Sequence, residues 1–125
     1  MYNKVTYKYH CRPGYGSEHL LIEFISGVEN KTFIIELLDA IKEINPKFTA
    51  LEDLWMNDEI IYTVNSDLGE FMLSKDIWDL AFIMSDKNQS CIVQIDKLLL
   101  KDKRFQKIEV NFNKFKLNEN NKGSL

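Results

Sequence analysis

The chain has 125 residues, 45% of them hydrophobic and 28% charged, with a formal net charge of −3. This length lets a single domain bury its own core without a disulfide or structural metal, and the acidic balance argues against a nucleic-acid partner. The polar N terminus and the lack of a long apolar run argue against a signal peptide and a membrane span. With two cysteines far apart in sequence, Cys11 and Cys91, we expect a cytoplasmic protein with reduced thiols.

The first third of the chain predicts two strands and a helix. Val5, Tyr7 and Tyr9 alternate with polar residues, which predicts a strand, and a loop follows at 12–17. The apolar run 20–25 predicts a second strand paired with the first. Apolar residues spaced by three and four then predict a helix that Pro46 stops. Its apolar stripe consists of Ile34, Leu37, Leu38, Ile41 and Ile44.

The middle of the chain predicts a short helical turn and three strands. The turn is expected within 48–55, and the β-branched and aromatic residues of 59–65 predict a strand. A tight turn at 66–69 leads into a returning strand that contains Phe71 and Leu73. Residues 78–84 alternate and predict another strand, with Trp78 in the core, although a short helix also fits this segment.

The last third predicts a helix and a final strand. Ile92, Ile95, Leu98 and Leu99 form a second apolar stripe, and 107–112 alternate as a strand does. The polar residues 116–125 predict a disordered tail. The order β-β-α-β-β-β-α-β over 1–115 therefore predicts one α+β domain with a mainly antiparallel sheet of about six strands and two helices packed on one face.

No catalytic residue, metal site or cofactor is predicted. His10, Cys11 and His19 are the first candidates for chemistry, but a zinc site there lacks a fourth ligand. A nucleophilic Cys–His pair would need an orienting group and an oxyanion site, and the sequence identifies neither. We therefore expect a protein that is not an enzyme, with a small enzyme or ligand-binding domain built on these residues as the alternative.

Charge is distributed unevenly along the chain. Residues 1–50 hold equal numbers of acidic and basic residues. Residues 51–96 hold ten acidic and two basic residues, whereas 97–125 hold eight basic and three acidic residues. An acidic surface with aromatic anchors suits a basic protein partner, because charges speed encounter and a few rings carry most of the binding energy. The alternative is that the basic C-terminal strand lies beside the acidic strands and cancels their field. The predicted partner-binding residues are Glu52, Asp53, Trp55, Asp58, Glu59, Asp67 and Glu70.

A small acidic α+β chain with no catalytic motif, whose acidic segment runs from Glu52 to Asp86, resembles the immunity proteins of bacterial toxin–immunity systems, including contact-dependent growth inhibition. The resemblance rests on size and charge, so no residue role is carried over. It implies a tight complex with a basic toxin domain, often a nuclease, whose active site is covered. A self-associating subunit, in which an edge strand pairs with its mate, is a further possibility, and the sequence leaves the oligomeric state open.

Overall fold

A computed structural model of the chain describes residues 6–115, except for the side chain of Asn57. The predicted disordered tail, 116–125, and Val5 of the predicted first strand lie outside these residues. No helix in the described part is long and apolar enough to cross a membrane. The strands are Tyr7–Pro13 (β1), Leu20–Ser26 (β2), Lys47–Leu54 (β3), Glu59–Ser66 (β4), Gly69–Asp76 (β5), Ala81–Met84 (β6) and Phe105–Lys107 (β7), and the helices are Phe33–Ala40 (α1) and Gln89–Leu100 (α2).

All seven strands form one sheet in the order β3-β4-β5-β6-β2-β1-β7. Every neighbouring pair is antiparallel except β1 and β7, which run parallel. The predicted α+β class is therefore confirmed, and the sheet is mixed, with seven strands instead of about six. Because β3 and β7 are the two edges, the acidic strand β3 and the basic residues Arg104 and Lys107 lie at opposite sides of the sheet.

Both helices cover the same face of the sheet. The hydroxyl of Tyr9 donates to the carboxylate of Asp96 in α2 at 2.8 Å, and the hydroxyl of Tyr7 donates to Glu36 in α1. Tyr7 and Tyr9 are two positions apart on β1 and so point to one side. Burial and the bond to Asp96 raise the pKa of Tyr9. The largest fully buried side chains beside these tyrosines belong to Phe24, Phe33, Ile22, Leu37, Ile41, Leu73, Ile83, Ile92, Ile95 and Leu99.

The helical turn predicted within 48–55 is wrong, because this segment is β3. As an edge strand it is exposed at every residue except Leu54, so no alternation of buried and exposed positions marks it in the sequence. A β-bulge between Phe48 and Ala50 also interrupts the alternation. Only Trp55–Asn57, after the strand, form a 3-10 helical turn.

The last strand is also displaced from its predicted place. It covers Phe105–Lys107, and the predicted strand residues 108–112 lie beyond it, with a 3-10 turn at Phe112–Phe115. The backbone N–H of Ile108 donates to the carbonyl of Tyr9 at 2.8 Å, after which the chain leaves the edge. Phe115 is buried, with its ring 4.6 Å from the guanidinium of Arg12, so this segment packs over β1 without extending the ladder.

Candidate functional site

Two turns meet at one end of the sheet. The first, 55–58, connects β3 to β4, and the second, 77–80, connects β5 to β6. The backbone N–H of Ile77 donates to the carbonyl of Asp58 at 3.1 Å, which joins the two turns directly. Glu59 and Asp76 are opposite one another in the β4–β5 ladder just behind them. Residues separated by about twenty positions in sequence therefore form one surface.

Four large apolar side chains are exposed on this surface. Trp55 is 73% exposed, Met56 79%, Ile77 65% and Trp78 64%. The prediction that Trp78 lies in the core is therefore wrong. Contiguous exposed apolar groups of this size are uncommon on monomeric proteins and frequently mark interaction sites. Since all four lie on the two joined turns, they form a single group.

The second turn takes its shape from carboxylates. One oxygen of Asp76 accepts the backbone N–H groups of Trp78 at 2.9 Å and Leu80 at 3.1 Å. Asp79 has a φ of 63°, in the left-handed region that Asp and Asn tolerate best among residues with a side chain. The chain turns here instead of continuing as a strand, so Trp78 does not follow the alternation that buries Ala81 and Ile83. This local geometry is the physical reason why the core prediction fails.

Carboxylates lie beside the four apolar side chains, in the same two turns and at the strand ends that adjoin them. Six acidic residues and one lysine, Lys75, lie in these turns and the adjoining strand ends. Within residues 6–115, no Lys, Arg or His nitrogen lies within 4.0 Å of any of these six carboxylates. We call this region the acidic turn surface. It consists of Trp55, Met56, Ile77, Trp78, Glu52, Asp53, Asp58, Glu59, Asp76 and Asp79.

Two basic residues of the C-terminal part, Arg104 and Lys107, bind carboxylates elsewhere. Arg104 contacts Asp102 at 2.7 Å and Asp39 at 2.9 Å, and Lys107 contacts Asp96 at 3.0 Å. The hydrogen bonds from Arg104 lower the pKa of Asp102. These pairs lie near β7, six strand positions from β3, which is about 29 Å at ~4.8 Å per strand. The predicted alternative, in which the last strand cancels the acidic strands, is not what the described residues show.

Two of the predicted partner-binding residues lie at the other end of the sheet. Asp67 lies in the β4–β5 turn and Glu70 at the start of β5, about 23 Å from Glu59 at ~3.3 Å per residue along β4. Asp67 accepts a hydrogen bond from the Asn45 amide at 2.6 Å, and Glu70 lines a separate groove of about 460 Å³. The structure thus brings together the other five predicted residues: Glu52, Asp53, Trp55, Asp58 and Glu59.

Sequence reasoning missed Met56, Ile77, Trp78, Asp76 and Asp79 as members of this surface. The segment 76–79 has an aspartate on each side of an Ile-Trp pair, and an aspartate followed by a turn often accepts the backbone N–H two residues on. That pattern was the available signal for a turn. It was outweighed by the apolar alternation that continues into β6.

The three residues considered for chemistry are not assembled into one site. His10 and Cys11 are neighbours on β1 and so point to opposite faces of the sheet. The His10 ring nitrogen Nδ1 lies 2.9 Å from the carbonyl of Ile108, whereas His19 is exposed and lies 3.5 Å from the carboxylate of Asp86. Burial raises the pKa of the Cys11 thiol to about 11. Among residues 6–115, no group of three or more His, Cys, Asp and Glu side chains is arranged to hold a metal ion.

No protein family, curated protein or solved structure matches the chain.

Proposed function

We propose that the chain is a non-catalytic protein-binding module that captures a basic protein through the acidic turn surface. The most specific form of this proposal is a cytoplasmic immunity protein that neutralises a basic toxin domain. One observation carries it: four large apolar side chains are exposed together, within six carboxylates that have no ion-pair partner among the described residues.

The two kinds of side chain support binding in different ways. Trp is the residue most enriched among those that dominate binding energy, and truncating such a residue costs about 2 kcal/mol or more. Exposed carboxylates contribute chiefly to the rate of association, because their field steers a basic partner before contact. Trp55 and Trp78 supply the first property, and the exposed Asp58 and Asp79 with the half-buried Glu59 supply the second.

The charge of the surface favours a nuclease-like toxin over a neutral partner. A site that binds nucleic acid presents lysine and arginine to phosphates. A surface with six carboxylates around an apolar centre offers such a site a complementary charge and also covers it. The free, buried cysteines Cys11 and Cys91, whose pKa values are raised by burial, suit a reducing compartment.

Affinity capture with matched variants tests the binding part of the proposal. The bait is the full chain, used with lysate of the source cells at low and moderate salt. Trp55→Ala with Trp78→Ala removes the aromatic anchors, and Ile35→Ala with Leu100→Ala removes exposed apolar groups from the helices as a control. We expect the wild type and the control to retain the same basic protein in stoichiometric amount, and the tryptophan variant to lose it.

Capture of no stoichiometric basic protein, or its retention by the tryptophan variant, would contradict the proposal. The toxin part has its own test, in which the captured protein is expressed alone and together with this chain. We expect growth inhibition in the first case and recovery in the second. A captured protein that is harmless when expressed alone would leave a binding module but remove the immunity function.

A further inference from the structure

The edge strand β3 exposes two large apolar side chains. It forms a ladder with β4 on one side, and among the described residues no strand lies on its other side. Phe48 is 43% exposed and Leu51 61% exposed. An open strand edge carries free backbone N–H and C=O groups and so can accept another strand. The question is which strand this edge fits.

The residues of β3 are complementary to a second copy of β3 that runs antiparallel to it. When Thr49 of one copy lies opposite Ala50 of the other, Phe48 lies opposite Leu51 and Lys47 opposite Glu52. Twofold symmetry repeats each pair, so the contact contains two apolar pairs and two ion pairs. Directly opposed side chains of these kinds stabilise antiparallel strand pairs.

The β-bulge makes the faces of these pairs agree. Phe48 is opposite Val64 and Leu51 is opposite Tyr62 in the β3–β4 ladder, and the two partners lie on the same face of β4. Phe48 and Leu51 are three positions apart and would point to opposite faces in a regular strand. The bulge between Phe48 and Ala50 adds one residue and returns them to one face.

The charged pair obeys the same rule. Lys47 is opposite Asn65 and Glu52 is opposite Ile61, so both point to the face that the helices leave open. Moving the second copy by one residue would set Phe48 against Glu52, two side chains from different faces. The bulge therefore selects one register.

Two further features suit this contact. The ring of Phe48 stacks on Tyr62 with centroids 4.8 Å apart, so it is held in place before any partner arrives. Pro46 would lie opposite Asp53 in this register, and a proline ends a ladder because it has no backbone N–H. The paired stretch then stops before Trp55. Of the acidic turn surface, only Glu52 and Asp53 lie within it, and the four apolar side chains stay outside.

We propose that two copies of this chain pair through β3 in an antiparallel arrangement, with Lys47 of each copy opposite Glu52 of the other, to form one continuous sheet. This contact goes beyond the proposed capture of a basic partner and does not depend on it. The charge complementarity between Lys47 and Glu52 and the face agreement that the bulge provides identify the occupant as a second copy.

The test is a charge exchange measured by sedimentation equilibrium over a wide concentration series. In a homodimer, Lys47→Glu sets two carboxylates against each other at both ion-pair positions, and Glu52→Lys sets two ammonium groups against each other there. We expect the wild type to dimerise and each variant to dimerise about tenfold more weakly or worse. An equimolar mixture of the two variants can form a mixed dimer with one copy of each. In this mixed dimer, position 47 of each copy lies opposite a residue of the opposite charge at position 52 of the other.

 In that mixed dimer both ion pairs are attractive again, so we expect the mixture to dimerise as the wild type does.

The mixture separates a contact between copies from damage within one chain, because neither variant alone can recover. Glu29→Lys with Lys31→Glu exchanges charges on an exposed segment away from β3 and should leave dimerisation unchanged. A bulge and charged residues can instead protect a strand edge from pairing. In that case the wild type would stay monomeric at every concentration, and this result would overturn the proposal. A dimer that the mixture fails to restore would overturn this register. The charge variants leave Trp55 and Trp78 unchanged, so the outcome for dimerisation does not decide the outcome of the capture experiment.

Discussion

Charged residues have different surroundings at the two sides of the sheet. Near β7, Arg104 and Lys107 contact the carboxylates of Asp39, Asp96 and Asp102, all within 3.0 Å. Near β3 and β4, the carboxylates of the acidic turn surface have no basic partner among residues 6–115. The β7 side therefore uses charge to hold strands and helices together, whereas the β3 side leaves it available. A count of charges along the sequence cannot distinguish these two uses.

The largest expected difference concerns aromatic side chains at the two sides. Phe24 is fully buried between Tyr9, Phe33 and Phe105, and Phe24→Ala should lower the free energy of unfolding by about 3–5 kcal/mol. Trp55→Ala should change it by no more than about 0.5 kcal/mol, because the ring lies mostly in water. Urea unfolding of both variants measures this. A loss of several kcal/mol in Trp55→Ala would show that the ring supports the fold.

The next difference concerns charge and stability. Arg104→Met keeps the apolar stem but removes the bonds to Asp39 and Asp102, so we expect a loss of about 1–2 kcal/mol at low salt. The matched change is the triple variant Asp58→Asn, Glu59→Gln and Asp79→Asn, which should leave stability equal or slightly higher. Thermal unfolding at two salt concentrations compares them. A triple variant that is the less stable of the two would reverse the roles of the two sides.

A smaller effect is expected on association with the captured partner. Neutralising Asp58, Glu59 and Asp79 should slow association up to about tenfold at low salt and flatten its salt dependence, because exposed charges act through a screened field. Dissociation should change little. Stopped-flow kinetics measure both rates. The control is Glu18→Gln, Glu29→Gln and Glu43→Gln, which changes the net charge equally at exposed positions elsewhere. If both triple variants slow association equally, the total charge of the chain matters and the acidic turn surface does not.

The smallest expected effect is a pH dependence at the β7 side. The hydrogen bonds from Arg104 lower the pKa of Asp102, so its contribution to stability is present above the unfolded pKa of about 3.9 and is lost as pH falls through the folded pKa. The stability difference between the wild type and Asp102→Asn should therefore shrink as pH falls below about 4. Urea unfolding between neutral and acidic pH measures it. A difference that stays constant would show that Asp102 does not titrate with unfolding.

Sequence patterns predicted the elements whose residues pack against the core. Both helices and β1 were found because packing against the shared core imposes a period on their residues, whereas β2 was found from its apolar run and β4 from its β-branched and aromatic residues. β3 was missed because an exposed edge strand has no buried positions to impose one. β7 was displaced because its pairing with β1 is made between distant parts of the chain, and nothing local records it.

The candidate site was predictable to the extent that it is continuous in sequence. Glu52, Asp53, Trp55, Asp58 and Glu59 belong to one segment, so charge patterning alone grouped them. Ile77 and Trp78 join them only through the ladder of β4 with β5, which places the second turn beside the first. The same ladder carries Asp67 and Glu70 to the opposite end of the sheet. Which acidic residues share a surface depends on their positions along the β4–β5 hairpin, and the composition of the segment does not encode these positions.

The parallel pairing of β1 with β7 has a consequence for how the chain acquires its fold during synthesis. Tyr7 pairs with Phe105, and their rings stack at 4.8 Å, although the two residues are nearly the whole domain apart in sequence. A ribosome releases β1 before β7, so the outer edge of β1 stays open while the residues between the two strands are made. Closing so long a loop costs entropy that the last contacts must offset. A nascent chain that stalls before Phe105 would therefore present β1 as an open edge, and the domain would complete its sheet only after its own last strand had emerged.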